Sequence, residues 1–358
     1  MIELEYRLQF LTPAFLGNAE QTAQWRTPPI KALLRQWWRV VYAADQPSGV
    51  DGTAMRQAEG RLFGHAWLEN DRDDRGQKVA ARRSAIRLRL SDWSLGDLPA
   101  SRWESLSTVR HPEVAQPVPA DLYLGYGPVT LPRGQRVPTL KAGAAIQAGK
   151  RAELRLAVVD HEAERLQLAL SLMNLYGTLG GRSRNGWGSF SLAPMEGTPA
   201  LSATLDHRVT LPWRDALTSD WAQAIGTSDQ RSLIWQTGPC DDWKKAMVQL
   251  ARTKIELRTQ FRFPQDRPDG QIHERHWLSY PVTRHDVAAW KRDNLRLPNS
   301  LRFKVRADAD GKLRGVIFHM PCQPPSSFRP DRRALEQVWA KVHAYLDQPT
   351  SNLKRIAA

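Results

Sequence analysis

Arg151-Ala-Glu-Leu-Arg-Leu-Ala-Val-Val-Asp160 places Ala152, Leu154, Leu156 and Val158 on one side of an extended chain, the period of a half-buried strand. From His161 to about Leu179 the apolar positions Leu166, Leu170, Met173 and Leu175 take helical spacing, and Gly177-Thr-Leu-Gly-Gly181 ends the run. Trp187 to Leu192 reads as the next strand. The same grammar stands upstream: Ile2, Leu4, Tyr6, Leu8 and Phe10 alternate with Glu3, Glu5, Arg7 and Gln9, and Thr12-Pro13 stops them. Pro29 suits the first turn of a helix, where its missing N–H is of no consequence. That helix runs from Ile30 to Ala44, up to the breaker Asp45-Gln-Pro-Ser-Gly49. A short alternation at 85–90 supplies another strand. Strand, helix, strands, helix, strand is the order of a ferredoxin-like unit.

Residues 96–149 are loop-rich, with prolines at 99, 112, 117, 119, 128, 132 and 138, and a long irregular stretch of this kind is usually functional. The polar segment 195–212 predicts a linker. Beyond it, 212–225, 230–235 and 240–250 read as helical, Arg252–Phe263 as a strand, and 300–306 with 313–320 as a hairpin, before a closing helix over 329–346. The expectation is an α+β protein with an N-terminal domain over 1–196 and a C-terminal α+β domain over 197–358. Its 358 residues exceed the ~250–300 at which single cores stop growing.

Composition narrows the class. The chain carries 51 Lys plus Arg against 37 Asp plus Glu, a formal charge of +14, yet is 41% hydrophobic with 14 Trp, too apolar for a disordered polycation. Of the cations 39 are Arg, which pairs bidentately with phosphate and stacks on bases. Residues 1–200 hold 25 cations against 20 anions and the remainder 26 against 17, so the excess is spread along the chain. No run approaches the roughly 20 apolar residues of a membrane span, and the start lacks the pattern of a secretory signal. Cys240 and Cys322 are too few for a disulfide framework or a four-thiolate zinc site. The expectation is a cytoplasmic protein with a polyanionic partner, nucleic acid before membrane.

Four groups of residues bear on chemistry. On the helix after Pro29, Lys31, Arg35, Trp38, Arg39 and Tyr42 share one sector opposite Ile30, Leu34, Trp37 and Val41. Cations for phosphates beside aromatics for bases suit a single-strand surface, although a solvated face with packed aromatics gives the same pattern. Gly177-Thr-Leu-Gly-Gly-Arg-Ser-Arg-Asn-Gly-Trp-Gly188 is neither a Walker loop nor a dinucleotide fingerprint. Gly180 and Gly181 permit close backbone approach, and Arg182, Arg184 and Trp187 equip the loop to hold a phosphodiester. Basic residues alternate along three expected strands: Arg252, Lys254, Arg258 and Arg262; Arg302, Lys304 and Arg306; and Arg87 with Arg89. The histidines, including His273-Glu-Arg-His276, show no metal spacing, and no nucleophile elbow or carboxylate pair compels a hydrolase. No metal site, cofactor or catalytic residue is expected, although His with Lys or Tyr meeting in space would suffice for RNA cleavage.

Phe10-Leu-Thr-Pro-Ala-Phe-Leu-Gly17, Pro28-Pro-Ile-Lys-Ala-Leu-Leu-Arg-Gln-Trp-Trp-Arg39, Leu62-Phe-Gly64, Tyr123-Leu-Gly-Tyr-Gly127 and Gly180-Gly-Arg-Ser-Arg-Asn-Gly-Trp-Gly188 together resemble the first subunit of Cmr-type (type III-B) CRISPR effectors, of the RAMP superfamily. Leu278-Ser-Tyr-Pro281 and Leu297-Pro-Asn-Ser-Leu-Arg-Phe303 resemble its C-terminal signature more loosely, with Ser279 and Ala32 where Gly is expected. The resemblance implies two ferredoxin-like (RRM-like) RAMP domains in tandem with large loop insertions. It implies a non-catalytic subunit that caps the effector filament near the 3′ end of the guide RNA and contacts guide or target RNA. Its implied partners are those RNAs, the backbone RAMP subunits and the large cyclase subunit, with no membrane. The candidate RNA-binding set is Lys31, Arg35, Trp38, Arg39, Gly180, Gly181, Arg182, Arg184, Trp187, Arg258 and Arg262. The alternatives are a metal-independent RAMP endoribonuclease that processes guide precursor, and a general single-strand RNA chaperone.

Overall fold

The computed structural model describes residues 1–46, 49–66, 68–69, 71–73, 75–141, 143–264 and 269–356; Pro47 and Ser48 of the expected breaker lie outside them. The chain divides into two compact units, one of residues 1–99, 142–181 and 188–209, the other of 100–141, 182–187 and 210–358.

In the first unit β1 (Ile2–Phe10), α1 (Thr27–Ala44), α2 (Gly52–Phe63), β2 (Arg87–Leu90), β3 (Arg151–Val158), α3 (Ala163–Tyr176) and β4 (Phe190–Pro194) follow one another. The sheet runs β4-β1-β3-β2, every pair antiparallel. That is the ferredoxin-like order, with α1 and α3 as its two crossing helices and α2 an addition that periodicity did not show. Leu4, Tyr6, Leu8 and Phe10 are all at most 3% exposed, as the alternation in β1 predicts. They bury against the apolar stripes of α1 (Ile30, Leu34, Trp37, Val41) and α3 (Leu166, Leu170, Met173). Burial raises the Tyr6 phenol to about 12.

The second unit repeats the plan. Its elements are β5 (Ile234–Gln236), α4 (Trp243–Thr259), β6 (Leu301–Ala307), β7 (Leu313–His319), α5 (Arg332–Asp347) and β8 (Lys354–Arg355). The sheet order β6-β7-β5-β8, all antiparallel, is the ferredoxin-like order read from the other edge. Three expectations fail here: of the helix expected over 212–225 only Trp213–Ala216 is helical, and Ile225 opens a strand that runs to Ser228. Residues 234–236 are the first strand of the ferredoxin-like sheet, where a helix was expected over 230–235. Arg252–Phe263 is not a strand: α4 continues through it to Thr259, capped by Asp242, whose carboxylate accepts from the Lys245 N–H at 2.8 Å. The end of this helix is covered on more than one side, so Thr253, Ile255 and Leu257 are all buried. Burial all round imitates the alternation of a strand. Between 100 and 141 the extended pieces are two-residue pairs around the short helix Ala120–Gly125, as the proline density predicts.

Candidate nucleic-acid interface

In the first unit the candidate cations of α1 are built around one buried carboxylate. Glu59, on α2 and 5% exposed, accepts from Arg35 Nε at 3.0 Å and from Arg39 Nε and Nη2 at 2.8 Å each. Both guanidiniums keep more than a third of their surface, at 38% and 40% exposed. Lys31 is half-buried, and burial followed by the charge of Arg35 lowers its pKa. Three cations against one carboxylate leave a positive, ordered face. Trp38 does not belong to it. Its ring is 0% exposed against Tyr42 and Phe63, and its Nε1–H donates to Glu162 Oε2 at 3.1 Å. A buried indole stacks on no base, so Trp38 is core, while Tyr42 is half-buried with the Arg165 guanidinium over its ring.

The glycine loop follows α3. Gly180 (φ +92°) and Gly188 (φ +64°) need the left-handed region, and a Cβ on either would strike the carbonyl of Phe15 or of Leu179 respectively. The Gly181 N–H donates to Phe15 O at 2.9 Å. These glycines lock the loop geometrically, and the N–H groups of Gly181 and Gly188 are spent on Phe15 O and Pro13 O. Trp187, 0% exposed, tilted against Trp103 and edge-on to Trp243, is again core, not a base platform. Arg182 (φ +55°) and Arg184 remain exposed.

In the second unit residues from four places converge. Lys254, half-buried on α4, donates to Asn185 Oδ1 at 2.7 Å and lies 5.8 Å from the centre of the Tyr123 ring. Burial, then Arg258 and Arg182, bring its pKa down to about 7. Arg258, one turn further, donates to Ser279 Oγ at 2.7 Å. Arg275, 6% exposed, donates through Nη1 to both oxygens of Glu113 at 2.6 and 2.8 Å. Burial raises the Tyr123 phenol and lowers His111, whose ring meets that of Tyr123 edge-on at 5.9 Å. Of the candidate residues, Arg182 and Arg258 belong to this gathering, and Arg262 is exposed beyond the end of α4. Lys254, Tyr123 and Arg275 were missed as site residues. Reading 243–259 as a helix shows Lys254 and Arg258 at i and i+4, and the strand reading concealed that signal.

The expected basic strand faces survive in part. Arg87 and Arg89 are exposed on β2, where Arg89 stands directly opposite Arg155 of β3. Lys304 on β6 is 0% exposed and belongs to no solvent face, a correction to the alternation read over 301–306. The outward positions of the first sheet, among them Glu5, Arg7, Arg89, Glu153 and Arg155, carry no aromatic, so this face lacks the rings on which RRM-type sheets stack bases. Among the described residues no three His, Cys, Asp or Glu gather as metal ligands. No described helix is long and apolar enough to cross a membrane.

A family model described as the RAMP superfamily matches residues 7–191. No curated protein matches the chain. Among solved structures, Cmr1 from Pyrococcus furiosus in its apo form is similar at 15% identity and a TM-score of 0.47, over 97% of this chain and 98% of that one. A chain of the type III-B Cmr-beta complex bound to cognate target RNA and AMPPnP is similar at 10% identity and a TM-score of 0.45, over 96% and 99%. A chain of a type IV-B CRISPR complex is similar at 13% identity and a TM-score of 0.30, over 57% and 95%.

Proposed function

The chain belongs to the RAMP superfamily, and from that premise we propose that it is a non-catalytic RNA-binding subunit of a type III CRISPR effector. In this reading its RAMP domains span 1–196 and 197–358, and it caps the filament near the 3′ end of the guide in contact with guide or target RNA. Its partners are backbone RAMP subunits and the large cyclase subunit, in the cytoplasm. The observation that carries RNA binding is the pair of cation-rich surfaces, Lys31–Arg35–Arg39 on α1 and Arg182–Lys254–Arg258 in the second unit. The resemblance of the α1 and glycine-loop motifs to the Cmr-type first subunit supports the place in the complex.

The guanidinium and ammonium groups of these surfaces grip phosphates and carry no base information of their own. Affinity for single-stranded RNA therefore falls steeply with salt and varies little with sequence. Titration of RNA oligonucleotides across a salt series measures both, and a shallow slope with strong sequence preference overturns the reading. Co-purification with sequencing of bound RNA tests the place in an effector.

One observation favours the endoribonuclease reading: His111, Tyr123 and Lys254 share a neighbourhood. Against it, His111 is only 8% exposed and its Nδ1 accepts the Glu113 N–H at 3.2 Å. Site-specific cleavage of repeat RNA in EDTA, lost on His111→Ala, decides for the enzyme.

A further inference from the structure

Positive charge in the second unit is gathered without matching carboxylates. Lys254 and Arg258 occupy i and i+4 of α4, where like charges repel. Arg182 lies near enough to act on Lys254 electrostatically, and Arg275 and Arg258 act on the same Tyr123 phenol. Among the described residues the one carboxylate ion-paired with any of these four cations is Glu113, and Arg275 takes both of its oxygens. Lys254 and Arg258 are held instead by neutral acceptors, Asn185 Oδ1 and Ser279 Oγ. Asn185 is fixed in turn, its Nδ2 donating to Leu124 O at 2.7 Å.

These bonds position the cations and leave their charge unbalanced. Arg275 adds a further sign, because its Nε is buried with no hydrogen-bond partner although the residue is 94% buried. Such a donor is costly to leave unmet. Desolvated cations that face each other without counter-charge are retained where an anion joins them.

We propose that Tyr123, Arg182, Lys254, Arg258 and Arg275 form a binding site for a phosphate group. Arginine forks, an ammonium and a phenol supply the several donors that a tetrahedral oxyanion accepts. The shared chemistry admits two sources, a phosphodiester of a bound RNA strand or a free phosphate; the first rests on the RNA-binding reading above.

The test uses the full chain and its thermal midpoint, with inorganic phosphate as one probe and a single-stranded RNA oligonucleotide as the other. Phosphate is expected to raise the wild-type midpoint relative to chloride at equal ionic strength. Lys254→Met is expected to abolish that rise, while its own phosphate-free midpoint equals or exceeds the wild type's, because a repelling charge has gone. Lys254→Arg restores the rise. Arg258→Gln is measured in the same way, so that a misfolded Lys254→Met leaves the question answerable. An equal phosphate response in wild type and both neutral variants overturns the proposal. So does a lowered phosphate-free midpoint together with an undiminished response, which marks a purely structural role.

The RNA arm separates the sources. An RNA affinity about tenfold weaker in Lys254→Met supports the phosphodiester. Unchanged RNA affinity with the phosphate response lost supports the free anion. A wild type that responds to phosphate and binds no RNA keeps this site and removes the RNA-binding reading.

Discussion

Glu59 shows how much of a basic surface can depend on one acid. Its carboxylate accepts three guanidinium hydrogen bonds, so removing Arg35 and Arg39 alone strands a buried negative charge. The informative variant is therefore Arg35→Gln/Arg39→Gln/Glu59→Gln, expected to fold and to bind single-stranded RNA about tenfold more weakly at low salt in a filter-binding titration. Glu59→Gln alone should lower stability by about 2 kcal/mol in urea melts. That is less than a fully buried pair loses, because both arginines are more than a third exposed. Trp38→Phe separates core from surface at the same helix. It removes the bond to Glu162 and should cost about 1 kcal/mol in the same melts, with RNA affinity unchanged. A large loss of RNA affinity there would return Trp38 to the binding surface.

At the level of elements, the loop after α3 is the most constrained piece of backbone described. Gly188→Ala combines a positive φ with a clash on the Leu179 carbonyl, and a loss of about 3 kcal/mol is expected by chemical denaturation. What was legible in the sequence follows from how elements are buried. β1 and β3 have one wet and one dry face, so alternation reported them faithfully. The α1 stripe was equally plain, yet its sector of Lys31, Arg35, Trp38 and Arg39 mixed two environments, because a neighbouring helix covers Trp38 and leaves the arginine heads wet. In α4 burial on several sides erased the helical period and hid Lys254 beside Arg258. In β6 the side chain of Lys304 is buried although its position in the alternation reads as solvent-facing. Motif resemblance carried the family where periodicity carried only the fold class. Tyr123 and Arg275 come from segments distant in sequence, and their meeting is a tertiary fact that no local pattern encodes.

For the whole molecule, pH acts on stability through the buried histidines of the second unit. His319, 0% exposed, shares a 2.9 Å hydrogen bond with His343, which is 6% exposed. Burial, then His343 and Arg302, hold His319 well below its ordinary value, and burial, then Arg355 and Arg214, hold His343 down to about 3. Unfolded histidine takes up its proton near pH 6.5, so the unfolded chain binds more protons below that point. Stability therefore declines as pH falls from about 6.5 toward 3, with roughly 2 kcal/mol lost through His343 by pH 5. Urea melts at pH 7 and pH 5 measure this, and His343→Phe should remove the share carried by His343 and leave that of His319. The division of the chain has a consequence of another kind. The backbone changes unit after residues 99, 141, 181, 187 and 209. A split after 141, 181 or 187 leaves both bodies short of a segment, whereas one after 99 keeps every segment of the second unit together and one after 209 every segment of the first, so only those two points suit truncation or recombination.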